Sequence, residues 1–188
     1  MDNKLAVEVF ALLREQILDP KNAVDVQQAN GICEENHIDN GGELRFRDVI
    51  NKSDVAVLSR SAKTGDIIGY NLLENKGNVL YTAQVAVGKD FQRGFGVGKK
   101  MYEYVERHAK GFICMSAHAH VTNIGSRKFH EDNGFIEARE QDFEPEEGFT
   151  YFVKPVDREK AIATFEEAKP EFAILEKKGS AGELERNI

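Results

Sequence analysis

The sequence predicts an α/β fold: a mixed, mainly antiparallel central sheet flanked by helices, with N-terminal helices and a C-terminal helical extension. Three observations predict it. Two strand-like runs, Val55 to Ser61 and Ile67 to Leu73, flank Lys63-Thr64-Gly65-Asp66, a turn of hairpin length and composition. A third run, residues 79 to 87, follows the turn Asn75-Lys76-Gly77-Asn78 and leads through a glycine-rich turn into a helical pattern. Beyond that helix the chain reads as a strand, a short helix and a final antiparallel pair.

Taken in order, Leu5, Val9, Leu12, Leu13 and Ile17 recur at helical spacing, so Leu5 to Leu18 is predicted as an amphipathic helix. Asp19-Pro20 ends it, because the residue before proline is pushed out of the helical region. Its apolar face suits core packing, with a homodimer contact as the lesser reading. A second helix is expected between Asn22 and Ile38, ended near Gly31 or by Asn40-Gly41-Gly42, and a short strand around Leu44, Phe46 and Val49. In the third strand, Val79, Tyr81, Ala83, Val85 and Val87 alternate with Leu80, Thr82, Gln84 and Ala86. After the glycine turn, Val97, Met101, Tyr104, Val105 and His108 form one helical face, opposite Lys99, Lys100, Glu103, Glu106 and Arg107. That helix ends near Gly111.

Phe112 to His120 reads as a strand, and a helix runs from Thr122, as N-cap, to Asn133, where Gly134 gives the stop. Phe135 to Phe143 and Thr150 to Val156 form the last strands, joined across Glu144-Pro145-Glu146-Glu147-Gly148. Ala161, Ile162, Phe165, Phe172 and Leu175 then suggest helix broken at Pro170, with a polar tail from Gly179. The expected organisation is one domain over 1–156, its first 54 residues a variable helical part, and an appended helical segment over 157–188.

A chain of 188 residues can bury a sizeable single core. It has no apolar run long enough to span a membrane, and its start lacks the pattern of a signal peptide. Cys33 and Cys114 form no disulfide framework and no C-x-x-C, which points to a reducing, cytoplasmic setting. The net charge of -7 argues against nucleic acid as a partner and favours cationic ones.

Chemistry concentrates in Val85-Ala86-Val87-Gly88-Lys89-Asp90-Phe91-Gln92-Arg93-Gly94-Phe95-Gly96-Val97-Gly98. Glycines at alternate positions let backbone approach a ligand closely, and the amides opening the next helix have no partner within it. With the helix dipole they make an anion site, so a phosphate-bearing ligand is expected. A Walker A loop would need glycine where Arg93 stands and Ser or Thr where Lys100 stands. A dinucleotide fingerprint fails too, since the third glycine would fall on Lys99 or Met101. What remains is R-x-x-G-x-G, spelled Arg93-Gly94-Phe95-Gly96-Val97-Gly98.

This loop resembles the pyrophosphate loop of the GNAT acetyltransferase superfamily. A second stretch, Asn123-Ile124-Gly125-Ser126-Arg127-Lys128-Phe129-His130-Glu131-Asp132-Asn133-Gly134-Phe135, is similar to that family's other signature. Both occur in the family's order, and the resemblance covers about Val55 to Val156. It implies transfer of acetyl from acetyl-CoA (coenzyme A) directly to an amine, without metal. The backbone of Val85 and Val87 would pair with the pantetheine arm, and one such amide would steady the oxyanion. The amides of Gly94, Phe95, Gly96, Val97 and Gly98 would hold the pyrophosphate, with Arg93 adding charge. Asn123 matches the residue that contacts pantetheine, and Ser126 and Phe129 match positions beside the cofactor. His130 stands where the family usually has a tyrosine that protonates the departing thiolate. It is either that acid or a helix residue lining the site while the thiolate leaves unassisted.

His118 and His120 share a strand face but lack a third ligand at zinc spacing, so structural or substrate-lining roles are favoured. His120 could also serve as a base for the acceptor amine. Thr82 or Gln84 stands where some relatives carry a catalytic Glu, and neither can act as a base. Glu137, Glu140, Asp142, Glu144, Glu146 and Glu147 crowd the last hairpin against Arg139 alone. A solvated face explains such a run, and so does an acceptor such as a polyamine, an aminoglycoside or a lysine side chain. The competing class is a binding module that holds acyl-CoA without turnover.

Overall fold

The computed structural model describes residues 4–38, 46–109, 111–138, 148–156 and 169–177. Its strands are β1 (Lys4–Leu13), β2 (Val55–Ser61), β3 (Ile67–Lys76), β4 (Val79–Val87), β5 (Cys114–His120), β6 (Ile136–Glu137), β7 (Phe149–Pro155) and β8 (Glu171–Glu176). Helices are α1 (Arg14–Ile17), α2 (Ala23–Ile38), α3 (Phe46–Ile50), α4 (Val97–His108) and α5 (Ile124–Asp132). The strands form one sheet in the order β6-β7-β5-β4-β3-β2-β1-β8. Among the described pairs only β4 and β5 run parallel.

Each sheet face has its own core. Val7, Val57, Leu73 and Leu80 meet Met101, Tyr104 and Val105 of α4. Burying a side chain of this size contributes about 1.5–3 kcal/mol, so packing fixes α4 despite the glycine in its first turn. On the other face Ala56, Leu58, Tyr70 and Leu72 meet α2 and α3. Ala29, Ile32 and Cys33 of α2 are buried, an i, i+3, i+4 stripe that carries the helix through Gly31.

The structure corrects several expectations. Residues 4–13 are strand, not helix, and only Arg14–Ile17 is helical. β1 lies between β2 and β8, and with both faces wanting apolar residues its run fits either period. Phe172 and Leu175 also lie on a strand: β8 pairs with β1, so the chain after Pro170 completes the sheet instead of forming a helical appendage. The helical residues proposed at 161–165 and the tail from Gly179 lie outside the described residues. Phe46 and Val49 belong to a helix whose one turn buries Phe46, Val49 and Ile50. Leu44 lies outside the described residues, as do Arg139 to Glu147 of the last hairpin. The cap of α5 is Asn123, not Thr122.

The odd–even alternation of β4 also breaks. Leu72 pairs with Gln84 and Leu73 with Thr82, leaving Ala83 as an extra residue in β4. Ala83 therefore packs with the α2 side, while Val85 and Val87 turn to the α4 side with Leu80.

Candidate active site

The parallel ladder of β4 and β5 is short. It runs from Val79↔Cys114 to Thr82↔Ala117 and stops there. Beyond it β4 continues to Val87 beside β3, and β5 continues to His120 beside β7. The sheet thus opens between its two central strands immediately after Thr82, at the Ala83 bulge. Gly88 donates its N–H to the Ile68 carbonyl at 2.9 Å across the β3 side. By the alternation of an antiparallel ladder, the N–H and C=O of Val85 and Val87 then face the opening. At its outer end the Val87 carbonyl accepts from Asn36 Nδ2 and from Gln92 Nε2, both at 3.1 Å.

The glycine loop closes the outer end of the opening. Gly94 and Gly96 have φ of 86° and 73°, the left-handed region that costs glycine little. A Cβ on Gly96 would meet no atom within 4 Å, so the surface above the loop is open. Gly96 is the N-cap of α4 and no side chain caps it. The amides of Val97, Gly98 and Lys99 therefore lack partners within the helix. Phe95 packs into the core beside Phe91, ring centroids 6.2 Å apart, and Arg93 is exposed. An exposed Gly96, uncapped amides and a strand edge parted from its neighbour fit a pyrophosphate followed by an extended amide-bearing arm.

The two motifs meet at Gly98. A Cβ there would lie 2.7 Å from the Phe129 ring, so only glycine lets α5 approach α4 this closely. Phe129 is half-buried, as is Ser126. The Asn123 carboxamide oxygen accepts from Ser126 N–H at 3.0 Å, capping α5, while its amide nitrogen takes no part in the cap.

His130 is 1% exposed, among Tyr102, Phe129, Phe135 and Phe152. Its Nδ1 is 3.2 Å from the Tyr102 hydroxyl. Burial, helped by the neighbouring His118, lowers its pKa to about 4. Burial raises that of Tyr102, whose hydroxyl also lies against Thr82. A neutral imidazole beside a protonated phenol suits O–H donation to Nδ1.

The other face of the opening is different. α2 packs on β3 and β4, and the described helix that packs on β5 is α5, from the opposite face. On the α2 side the Tyr81 hydroxyl bonds His118 Nδ1. Phe149 stands edge-on to the same ring at 5.0 Å and Tyr151 lies at 5.9 Å. His120, at the strand end, is exposed and bonds Thr122 Oγ1 through Nδ1 at 2.7 Å. Gln84 is committed to the second core, accepting from Tyr70 Oη at 3.0 Å and Cys33 Sγ at 3.6 Å. Among the described residues no group of three His, Cys, Asp or Glu side chains could hold a metal ion.

The model of the acetyltransferase (GNAT) family matches residues 29–135, more than half of the chain. The chain belongs to the GNAT acetyltransferase family. It is an acyltransferase that uses acetyl-CoA. No curated protein matches it. Among solved structures, a GNAT-family acetyltransferase from Staphylococcus aureus Mu50 is similar at TM-score 0.61 and 13% identity, over 79% of this chain and 99% of that one. A GNAT acetyltransferase from Elizabethkingia anophelis, crystallised with acetyl-CoA bound, is similar at TM-score 0.51 and 14% identity, over 65% and 89%. The ribosomal-protein-S18-alanine N-acetyltransferase from Escherichia coli is similar at TM-score 0.52 and 16% identity, over 79% and 94%. These likenesses are of fold.

Within this GNAT fold the sequence had singled out neither Tyr81 nor Tyr102, nor the rings of Phe149 and Tyr151. Their signal is three-dimensional, since Tyr81 comes from β4, Tyr102 from α4, and Phe149 and Tyr151 from β7. No described helix is long and apolar enough to cross a membrane.

Proposed function

We propose that this chain transfers the acetyl group of acetyl-CoA directly to a primary amine of a cationic acceptor: a polyamine, an aminoglycoside or a lysine-type side chain. The observation that carries the reading is the parting of β4 from β5 after Thr82, with Val85 and Val87 presenting backbone to the gap and the open glycine loop at its end. In this reading the arm of acetyl-CoA adds to the β4 edge as a strand would, and an amide there stabilises the oxyanion as it forms. Gly94 to Gly98 and Arg93 bind the pyrophosphate, and Asn123, Ser126 and Phe129 border the arm. The transfer needs no metal.

Two observations support a cationic acceptor. Phe149, Tyr151 and Tyr81 offer ring faces on the side of β5 and β7 away from α5, and a cation over such a ring gains about 0.5–2 kcal/mol. The segment entering β7 carries Glu140, Asp142, Glu144, Glu146 and Glu147 in sequence against Arg139. The buried, neutral state of His130 argues for its packing role. With a pKa of about 4, roughly one molecule in a thousand is imidazolium at neutral pH, too few for an efficient acid. The same observation keeps a second reading in play, a module that binds acetyl-CoA without turnover.

Thiol release from acetyl-CoA against spermidine, kanamycin, a lysyl peptide and an uncharged aromatic amine tests both. Turnover confined to the cations is the expected result. Equal turnover of the aromatic amine removes the cationic class, and tight coenzyme A binding without release against any amine favours the binding module.

A further inference from the structure

We propose that Gln92 and Asn36 set acetyl-CoA affinity by holding the Val87 carbonyl that the coenzyme A arm would use, and that the arm binds by displacing Gln92. This rests on the reading above, in which the arm adds to the β4 edge as a strand would. Val87 is the last residue of β4. Its carbonyl, turned toward the opening, accepts from Asn36 Nδ2 and from Gln92 Nε2, each at 3.1 Å. A carbonyl oxygen has two lone pairs, and these two donors take both. A strand added beside Val87 donates an amide N–H to that same oxygen. One of the two carboxamides must therefore leave.

The two are held differently. Asn36 is half-buried in the last turn of α2, and its Nδ2 also donates to the Ile32 carbonyl one turn back at 2.8 Å. That turn is well anchored. Ile32 and Cys33 pack into the core beneath it, and Glu35 Oε2 accepts from Lys89 N–H at 3.4 Å. Further back along α2, Gln28 Oε1 accepts from Ile67 N–H at 2.8 Å. Gln92 is exposed, and its Nε2 is shared between Val87 and Asn36 Oδ1. Turning outward, it exchanges those bonds for water and moves no helix. It directly precedes Arg93 and Gly94, so it stands where the arm joins the pyrophosphate.

A purely shaping role for these side chains has the opposite sign. If the carboxamides only held the strand edge ready for the ligand, deleting one would weaken binding. Because Gln92 occupies the place of the arm's N–H, deleting it frees a lone pair and strengthens binding. One net hydrogen bond corresponds to about a 2- to 12-fold change in an equilibrium constant. Gln92 is neutral, so another neutral side chain there leaves the field that draws the pyrophosphate unchanged.

Calorimetric titration of the full chain with acetyl-CoA tests this. Gln92→Met keeps the length of the side chain and drops its hydrogen bonds, and should bind acetyl-CoA about 2- to 12-fold tighter than wild type. Gln92→Ala should tighten binding likewise. Amide hydrogen exchange with and without acetyl-CoA supplies the control: the β4 edge and residues 94–98 should gain protection in wild type and in both variants. Gln92 variants that bind as wild type does, or more weakly, while those amides gain protection overturn this inference alone. Wild-type protein whose β4 edge and glycine loop gain no protection from acetyl-CoA overturns the reading of the site, and this inference with it.

Discussion

The two faces of the β4–β5 opening use the same parts and treat them oppositely. Each carries a tyrosine hydroxyl against a histidine Nδ1: Tyr102 with His130 on one face, Tyr81 with His118 on the other. The first pair is closed under α4 and α5, and burial holds His130 neutral and Tyr102 protonated. The second stands on the face of β5 opposite α5. Helix placement, not residue type, therefore decides which pair is closed off and which is half-buried. A histidine at the family's acid position reads in sequence either as that acid or as a helix residue lining the site. In the fold it is buried among aromatic rings.

The largest effect expected from this contrast lies in stability against pH. A histidine whose folded pKa falls below its unfolded value binds fewer protons when folded, so its contribution is intact above the unfolded pKa and is lost as pH falls. Between the ordinary 6.5 and about 4, His130 should cost the folded state up to about 3 kcal/mol. Denaturant unfolding of wild type and His130→Phe from pH 7 to pH 4 measures this. The variant should lose less stability on acidification, and turn over acetyl-CoA within about tenfold of wild type, short of what removing a general acid costs. Parallel stability curves would mean that His130 is not held neutral. A far larger fall in turnover would restore it as the acid.

Next in size is Gly98→Val, which attacks the closed face at its tightest point. The added Cβ meets Phe129 at 2.7 Å, and overpacking of this kind costs about 1–3 kcal/mol. Thermal unfolding should move down by several degrees, and acetyl-CoA affinity should fall because the helix start that bears the amides shifts. Gly96→Ala provides the contrast: its Cβ enters open space, leaving only the penalty of positive φ, about 1 kcal/mol.

On the open face the effect should be on binding rather than folding. Phe149→Ala removes a ring beside His118 and, for a cationic acceptor, should raise KM by about 2- to 30-fold, the equivalent of one cation–π contact. Stability should barely change. A KM that stays constant while thermal stability drops would make Phe149 a core residue and dissolve the distinction between the faces.

How much of this was legible beforehand depends on the kind of information. The hairpin of β2 and β3, the glycine loop, α4 and the Asn123 to Phe135 stretch all declare themselves locally, through turn residues and a single period. β1 did not: as an interior strand it is apolar on both faces, and Leu5, Val9 and Leu12 fit a helix as well as a strand. β8 failed for a similar reason, since Phe172 and Leu175 acquire meaning only beside β1. The Ala83 bulge was invisible, because a one-residue slip leaves no mark on composition and yet turns Val85 and Val87 onto the α4 face. For the candidate site, the open glycine loop was readable from glycine spacing. The side chains that distinguish the two faces were not, because exposure is set by helices far away in sequence.

Asn123 offers the smallest test and a clean one, because it opens the helix that closes the buried face. Its oxygen caps α5 and its amide nitrogen does not, so two substitutions separate two jobs. Asn123→Ala removes both and should cost about 1 kcal/mol of stability, a shift of about 2–4 °C in Tm. Asn123→Asp keeps an oxygen for the Ser126 N–H, and its charge is favourable at a helix N-terminus, so stability should hold. It lacks the donor and places a negative charge beside the proposed path of the coenzyme A arm. If the nitrogen meets that arm, acetyl-CoA affinity should fall in Asn123→Asp although α5 remains capped. If affinity follows stability instead, lost only in the alanine variant, then Asn123 acts on the site solely by holding α5, and with it Phe129, against Gly98.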